Sequence, residues 1–121
     1  MHRGLVTCPP GMSLRAVARI LAAHRIHAVV VADDHAHEAA GVWGVVSDLD
    51  IVTRLATASG DESVGSAAEQ PACIVAPDDT IAHAARLMAE RGVAHLLVAD
   101  PLSGRPLGVL STLDVAEALS S

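Results

Sequence analysis

Two short motifs of the same form carry the residue types that could bind a ligand. Each runs glycine, two apolar residues, serine, two further residues, aspartate and an apolar residue, from Gly44 to Ile51 and from Gly108 to Val115. If a helix starts at the serine, its unpaired N–H groups and the positive end of its dipole suit a phosphate, and the serine hydroxyl adds a donor. The aspartate, one turn further, can accept hydrogen bonds from the two hydroxyls of a ribose. A phosphate and a ribose together indicate a nucleotide.

The same motif also has a purely structural interpretation. A serine followed three residues later by an acidic residue, ahead of an apolar helix, is the pattern of a capping box, which satisfies the first N–H groups of the helix. One copy on its own would favour this interpretation for Ser47 and Asp50, or for Ser111 and Asp114. Because the motif occurs twice, the ligand-binding interpretation stays open beside it.

The elements that must position these motifs form an internal repeat. Pro10–Leu14 aligns with Pro77–Ile81 at an offset of 67 residues. The same offset pairs Val29–Asp33 with Leu96–Asp100, whereas the two motifs align at an offset of 64. The three-residue difference therefore lies after Asp33, in a segment rich in His and Ala. Since insertions fall in surface loops, this segment is predicted to connect two strands of a hairpin.

Each copy is predicted to form a strand, a helix, two strands and a closing helix. The first helix follows Ser13 or Thr80, which stand where an N-cap belongs. Apolar runs then predict the later elements, which are Ala28–Val31, Val42–Val46 and Leu49–Ala56 in one copy and His95–Val98, Leu107–Leu110 and Leu113–Leu119 in the other. Gly92 can take the left-handed conformation that ends a helix. Arg25 at the equivalent position predicts a less well formed helix end.

A unit of about fifty residues is marginal on its own, so the two copies should pack against each other. We therefore expect an α/β (α+β) fold in which two β-α-β-β-α repeats pack with pseudo-two-fold symmetry through their sheets. Residues 1–58 would form the first repeat and residues 73–121 the second. Residues 59–72 would form a linker with a short helix near Val64–Glu69, and the whole would be one globular module.

Composition narrows the class of protein. The chain has 121 residues, 51% of them hydrophobic, and eight arginines without any lysine give a formal net charge of −6. A nucleic-acid binder needs a basic face or stacking aromatics, and Trp43 is the only aromatic residue. No apolar run approaches the roughly 20 residues that span a bilayer, and the first residues do not resemble a signal peptide. We expect a cytoplasmic protein with no nucleic-acid or membrane partner. Cys8 and Cys73 lack the number and spacing of a disulfide framework.

In its duplication, its Pro-x-x-Ser/Thr-Leu/Ile helix starts and its Gly-x-x-Ser-x-x-Asp-Ile/Val endings, the sequence resembles a tandem pair of CBS (cystathionine β-synthase) domains, or Bateman module. The resemblance runs from about Leu5 to Leu119. It implies a stand-alone regulatory, energy-sensing module, not an enzyme, that binds AMP, ADP, ATP, S-adenosylmethionine or NAD in clefts between the repeats. It implies no required cofactor, and a homodimer that signals to an effector protein.

The resemblance also assigns roles to individual residues. Asp50 and Asp114 match the ribose-binding aspartates. The residues expected near the phosphate are Ser47, Ser111, His27 and His95. Those expected around the adenine are Val6, Pro10, Ile74, Val75 and Pro77. His27 is displaced by one position from His95, and this and the other differences between the copies predict two unequal sites. Because the chain is acidic, we expect AMP or S-adenosylmethionine to fit better than ATP.

Three other functions were weighed against the sequence, namely zinc binding, catalysis and dimerisation without a ligand. Zinc could bind His24 and His27, or His35 and His37, but no further ligands follow at zinc-finger spacing, so no metal site is assigned. An enzyme is disfavoured because no Ser-His-Asp arrangement, nucleophile elbow or lysine-containing phosphate loop is present. A ligand-free dimerisation scaffold stays open, since Ala-rich helix faces suit close packing; they are formed by Ala16, Ala22, Ala23, Ala82 and Ala89.

Overall fold

The computed structural model describes residues 6–33, 42–68 and 73–120, and the predicted order of elements occurs in it twice. The first copy consists of β1 (Thr7–Cys8), α1 (Leu14–His24), β2 (Ala28–Ala32), β3 (Val42–Ser47) and α2 (Asp48–Leu55). The second consists of β4 (Ile74–Val75), α3 (Ile81–Arg91), β5 (His95–Ala99), β6 (Pro106–Ser111) and α4 (Thr112–Ser120). The bounds predicted for the strands and closing helices hold to within one residue.

The predicted side-chain caps start the two long helices. Ser13 Oγ accepts a hydrogen bond from the Ala16 N–H at 3.1 Å, and Thr80 Oγ1 accepts one from the His83 N–H at 3.0 Å. Each cap satisfies one of the N–H groups that the first turn leaves unpaired. Both helices then bury one face, which comprises Leu14, Val17 and Leu21 in α1 and Ala84 and Met88 in α3.

The end of α1 differs from the sequence-based expectation. Arg25 adopts the left-handed conformation (φ 52°, ψ 46°), as Gly92 does after α3 (φ 65°, ψ 35°). The Arg25 N–H donates to the carbonyls of Leu21 and Ala22, so the helix end is closed. The prediction of a poorly formed end was therefore wrong. The tertiary path of the chain imposes this conformation on a residue with a Cβ, at a cost of roughly 1–2 kcal/mol.

Each repeat contributes a three-stranded sheet with the same topology. The strand orders are β1-β2-β3 and β4-β5-β6, with the first pair parallel and the second pair antiparallel in both. The register is also the same, because Ala28 lies opposite Ser47 and His95 lies opposite Ser111. Each motif serine therefore ends its strand beside the first residue of the buried central strand.

Three apolar clusters form among the described residues. One lies inside the first repeat, around Leu14, Val29 and Val46, and one inside the second, around Leu96 and Val98. The third joins the sheets of the two repeats and consists of Val30, Ala32 and Leu97, with Val45 and Val109 packed against them. The predicted α/β (α+β) fold of two repeats packed through their sheets is thus confirmed.

The segment between the repeats packs onto the first of them. It contains a 3₁₀ helix at Val64–Ala67, and Val64 is completely buried in the first core cluster. The Val64 N–H donates to the Met12 carbonyl at 2.7 Å, and the Leu14 N–H donates to the Glu62 carbonyl at 2.8 Å. The short helix expected near Val64–Glu69 is present over its first four residues, and Glu69 lies outside the described residues.

Candidate functional site

Both Ser-x-x-Asp motifs form the capping boxes that begin α2 and α4. Asp50 Oδ2 accepts from the Ser47 N–H at 2.8 Å, and Ser47 Oγ accepts from the Asp50 N–H at 3.1 Å. Asp114 Oδ2 accepts from the N–H and the hydroxyl of Ser111 at 2.8 and 2.9 Å, and Ser111 Oγ accepts from the Asp114 N–H at 3.2 Å. The structural interpretation of the motif is confirmed at both places. It also means that both aspartates are oriented before any ligand binds.

The first N–H groups of α2 are already in use. The Asp48 N–H donates to the His27 carbonyl, and the Leu49 N–H donates to Asp48 Oδ1, both at 2.8 Å. The Asp50 N–H is held by the capping box. At α4 the Thr112 N–H donates to the Ala94 carbonyl at 3.0 Å. The helix start on which the phosphate hypothesis depends thus has protein acceptors on its first three donors in α2.

A cavity of about 340 Å³ lies between the two repeats and contains the second motif. Its polar lining combines Ser111 and Asp114 with His95, and with His27 and Asp48 from the first repeat. Its apolar lining includes three side chains from both repeats, namely Val6, Ile26 and Val109. Volumes of about 300–1,000 Å³ are typical of small-molecule sites. The fold therefore brings Asp114, its motif partner Ser111 and both predicted histidines to one cavity.

A hydrogen-bonded pair stands on the first repeat's side of this cavity. His27 Nδ1 donates to Asp48 Oδ2 at 2.8 Å, and the side chains are 75% and 53% exposed, so the pair lies near the mouth. The hydrogen bond from His27 holds the pKa of the Asp48 carboxyl below its ordinary value. Asp48 is therefore ionised at neutral pH, and it places a carboxylate where the sequence predicted only a basic group.

The other two titratable groups of the cavity are shifted in the directions that burial and hydrogen bonding dictate. Burial lowers the pKa of His95, because the low dielectric disfavours the charged imidazolium. Burial raises the pKa of Asp114, but hydrogen bonds, including those from Ser111, outweigh it and leave the pKa below its ordinary value. At neutral pH His95 is thus a neutral hydrogen-bonding group and Asp114 a carboxylate.

The remaining predicted site residues lie outside the lining of this cavity. Asp50 is exposed, whereas Ser47 is buried under the start of α2. Val75 is 4% exposed in the core of the second repeat, so of the two alternatives for the adenine only Ile74 presents its side chain at the surface. Two predicted prolines lie outside the cavity lining as well, at Pro10 and Pro77.

The pairing of the strands explains why Val6 lines the cavity and Ile74 is not its equivalent in the second repeat. The Val6 carbonyl accepts from the Val30 N–H and the Cys73 carbonyl accepts from the Leu97 N–H, both at 2.9 Å. Cys73 is therefore the structural equivalent of Val6, one position before Ile74. The offset of 67 residues also pairs Val6 with Cys73, but the entering strands have only two residues each, and the prediction for the adenine named Ile74 or Val75 instead.

Sequence reasoning did not single out Ile26, Asp48, Thr112 or Val109, which also line the cavity. For Asp48 a signal was present, since an acidic residue directly after a capping serine stands at a helix start where it can bond the backbone. For Ile26 and Val109 no local signal exists, because they meet the site only when the two repeats pack together. A neighbouring surface groove of about 450 Å³ between α1 and α2 shares Ile26, His27 and Asp48 with the cavity.

Other predicted features have plain outcomes. Among the described residues no group of three or more His, Cys, Asp or Glu is arranged to hold a metal ion, while His35 and His37 lie outside them. Cys8 and Cys73 are free cysteines. No helix in the described part of the chain is long and apolar enough to cross a membrane.

Comparisons with known proteins agree with this architecture. The CBS domain family matches residues 1–57 and 64–121. The CBS-domain containing protein ATU1752 from Agrobacterium tumefaciens is 30% identical over 97% of this chain and 90% of its own, with a TM-score of 0.82. The CBS domain pair of MJ0100, in complex with 5′-methylthioadenosine and S-adenosyl-L-methionine, is 19% identical over 99% of this chain and 91% of its own, with a TM-score of 0.84. CBSX2 in complex with AMP is 24% identical over 96% and 87%, with a TM-score of 0.72. No curated protein sequence matches the chain.

Proposed function

The chain belongs to the CBS domain family, and we propose that its two domains form a regulatory module that binds an adenosine-containing ligand in the cavity at Asp114. The observation that carries the proposal is the composition of that cavity, in which an oriented aspartate and serine from one repeat face apolar side chains from the other. Two CBS pairs of similar fold hold ligands of this class, 5′-methylthioadenosine with S-adenosyl-L-methionine in MJ0100 and AMP in CBSX2.

The parts of such a ligand match the parts of the cavity. The ribose hydroxyls would donate to the Asp114 carboxylate, which Ser111 already orients. The adenine would lie against Val6, Ile26 and Val109, where its apolar faces are removed from water. Ser111, His27 and His95 would meet the substituent at the 5′ position. AMP, ADP, ATP, S-adenosylmethionine and NAD all share the adenosine part, and the sparse positive charge favours the less anionic among them.

A second site at Asp50 belongs to the same proposal. Ser47 would be its phosphate-facing serine, Ile74 or Cys73 would stand at the entering strand, and Pro10 and Pro77 would lie beside the adenines. Asp50 is exposed while Asp114 is half-buried, so we expect the two sites to differ in affinity. The division into residues 1–58, 59–72 and 73–121 stays our working division of the chain.

The module acts, in this proposal, as a sensor rather than an enzyme. Ligand binding between the repeats changes how strongly they are held together, and an effector protein responds to that change in the cytoplasm. The module needs no cofactor for this role. It would report the cell's supply of adenosyl compounds, in keeping with an energy-sensing function.

Calorimetric titration with the adenosyl ligands tests the proposal. The intact protein should bind at least one of AMP, ADP, ATP, S-adenosylmethionine, 5′-methylthioadenosine and NAD, and its melting temperature should rise with that ligand by mass action. Asp114→Asn should weaken binding at the cavity by about tenfold or more, because a charged acceptor is lost. Asp78→Asn, an exposed carboxylate outside the cavity lining, is the matched control and should bind like the wild type. No binding of any ligand at millimolar concentration would refute the proposal.

A second candidate function, a dimerisation scaffold, is favoured by exposed apolar side chains on the closing helices. Leu49 and Leu113 occupy equivalent positions and are 68% and 64% exposed, and Leu55 and Leu119 are 41% and 75% exposed. The Ala-rich faces predicted from the sequence lie on α1 and α3, but the large exposed groups lie on α2 and α4. We therefore place a homodimer contact on α2 and α4, and it is compatible with ligand sensing.

A further inference from the structure

Asp48 occupies one of the groups that would otherwise receive a phosphate, the His27 imidazole, and it also binds the first turn of α2. Its Oδ2 accepts from His27 Nδ1, and its Oδ1 accepts from the Leu49 N–H at the start of α2, both at 2.8 Å. His27 is one of the two predicted basic groups, and the Leu49 N–H is one of the predicted donors at a helix start. A carboxylate that binds both is a built-in anion at the mouth of the cavity.

We propose that Asp48 sets the charge selectivity of the cavity, so that it admits neutral or cationic adenosyl ligands and rejects those that carry a phosphate. This inference rests on the proposed function, since it concerns the substituent of a ligand whose adenosine part binds at Asp114. A phosphate would have to displace the Asp48 carboxylate from His27 or lie beside it, and both arrangements cost binding energy. A sulfonium substituent, as in S-adenosylmethionine, would instead gain from the carboxylate.

The balance of charge in the cavity supports this assignment. Among its described lining residues two are carboxylates, Asp48 and Asp114, and none is an arginine. Burial keeps His95 neutral, as its lowered pKa indicates. The described lining thus offers a phosphate no arginine, and it presents the Asp48 carboxylate at the mouth.

Two arginines of the chain form ion pairs with acidic residues outside the cavity lining. Arg15 lies 3.8 Å from Asp61, and Arg54 forms an ion pair with Glu62. These ion pairs hold Arg15 and Arg54 away from a phosphate in the cavity.

The second repeat shows that the fold does not require this carboxylate. Thr112 takes the place of Asp48, and its N–H donates to the Ala94 carbonyl as the Asp48 N–H donates to that of His27. Ala94 thus stands where His27 does. The first repeat carries a histidine and an aspartate together at two positions where the same backbone accepts alanine and threonine.

Paired titrations of Asp48 variants test the proposal. Asp48→Asn keeps the size of the side chain and removes its charge, and Asp48→Thr introduces the residue type of the second repeat. The intact wild type should bind S-adenosylmethionine and 5′-methylthioadenosine more tightly than AMP, which carries a phosphate of nearly two negative charges at neutral pH. In both variants the ratio of the AMP to the S-adenosylmethionine dissociation constant should fall by about tenfold, while 5′-methylthioadenosine should change by less than about threefold.

Salt dependence and a control variant separate selectivity by charge from a structural effect. Raising NaCl from about 50 to about 500 mM should reduce the wild-type ratio and leave that of Asp48→Asn nearly constant, because salt screens charges near the surface. Glu90→Gln makes the same change in net charge on the exposed side of α3, outside the cavity lining, and should keep the wild-type ratio.

The outcomes distinguish this inference from the function on which it rests. If the wild type binds none of the three ligands, both the proposed function and the inference fail. If 5′-methylthioadenosine binds wild type and variants alike but the ratio changes by less than about twofold, or if the wild type prefers AMP, the selectivity role of Asp48 is wrong and adenosine binding stands.

Discussion

The serines of the two motifs stabilise the fold because each donates and accepts a hydrogen bond at the start of a helix. Ser47 is 8% exposed and exchanges two hydrogen bonds with Asp50 across the start of α2. Ser47→Ala should therefore lower the free energy of unfolding by about 1 kcal/mol, the usual cost of an N-cap. Urea denaturation measures the change. Ser63→Ala is the matched control, since Ser63 also precedes a helix but forms no side-chain cap, and its effect should be close to zero.

Asp114 makes the stability depend on pH in one direction. Its pKa in the folded protein lies below the ordinary value of 3.8. The stabilisation from the ionised form is thus present above about pH 4 and is lost as the pH falls through the folded-state pKa. Asp114→Asn should be less stable than the wild type at about pH 6, and the difference should shrink toward about pH 3. Urea denaturation across this range measures it, and a difference that grows on acidification would contradict the assignment.

Residue types alone predicted the capping boxes and the left-handed glycine, because those depend on neighbours within four positions. They did not predict the His27–Asp48 pair, whose members are 21 positions apart in sequence. That bond exists because β2 and β3 pair in a particular register, which places the residue before one strand beside the residue after the other. For the same reason the sequence predicts a phosphate role for His27 but not its hydrogen bond to Asp48.

The ends of the two long helices give a matched pair of elements with different residues. Arg25 and Gly92 both have positive φ, and only glycine adopts this conformation without strain. Arg25→Gly should stabilise the protein by up to about 1 kcal/mol, because relief of strain exceeds the added entropy of the unfolded chain. Gly92→Ala should destabilise it by about 1 kcal/mol, although nothing lies within 4 Å of the added Cβ. Effects of the same sign at both positions, measured by thermal and urea unfolding, would contradict this explanation.

The order of the elements was predictable because each copy confirms the other. A helix pattern or an apolar run that recurs at a constant offset is supported by its second copy, so even the weak strand signals near Val42 and Leu107 could be assigned. The entering strands were less well defined, since β1 and β4 have two residues each. The sequence therefore predicted Ile74 or Val75 beside the adenine, whereas the structural equivalent of Val6 is Cys73.

At the scale of the whole molecule, the sheet-to-sheet cluster makes the two repeats one folding unit. Leu97 is completely buried between the sheets with Val30 and Ala32. Leu97→Ala should reduce the free energy of unfolding by about 2–5 kcal/mol, because it leaves a cavity in a close-packed contact. Unfolding should remain a single transition by circular dichroism and calorimetry. Leu102→Ala, at a 97% exposed position, is the control and should have almost no effect.

The cavity at Asp114 is a property of this level and could not be derived from either copy alone. Asp114 and Ser111 come from the second repeat, whereas Val6, Ile26 and Asp48 come from the first. The sequence indicated which residue types would meet a ligand. Only the packing of the two sheets determines that the apolar partners of one aspartate come from the opposite repeat.

Association between copies is the property of the whole molecule that the exposed apolar side chains predict. Val52 and Leu119 are 64% and 75% exposed on α2 and α4, and large apolar groups left in water mark interaction surfaces. Sedimentation velocity should show a dimer for the wild type and a monomer for the double variant Val52→Glu with Leu119→Glu, because two buried charges oppose the contact. Neither residue lines the cavity at Asp114, so ligand binding to the monomeric variant should persist. Leu102→Glu, at a 97% exposed position on the turn before β6, should stay dimeric. A monomeric wild type would contradict the prediction of a dimer. If Leu102→Glu dissociates as fully as the double variant, the dimer contact does not depend on the apolar side chains of α2 and α4.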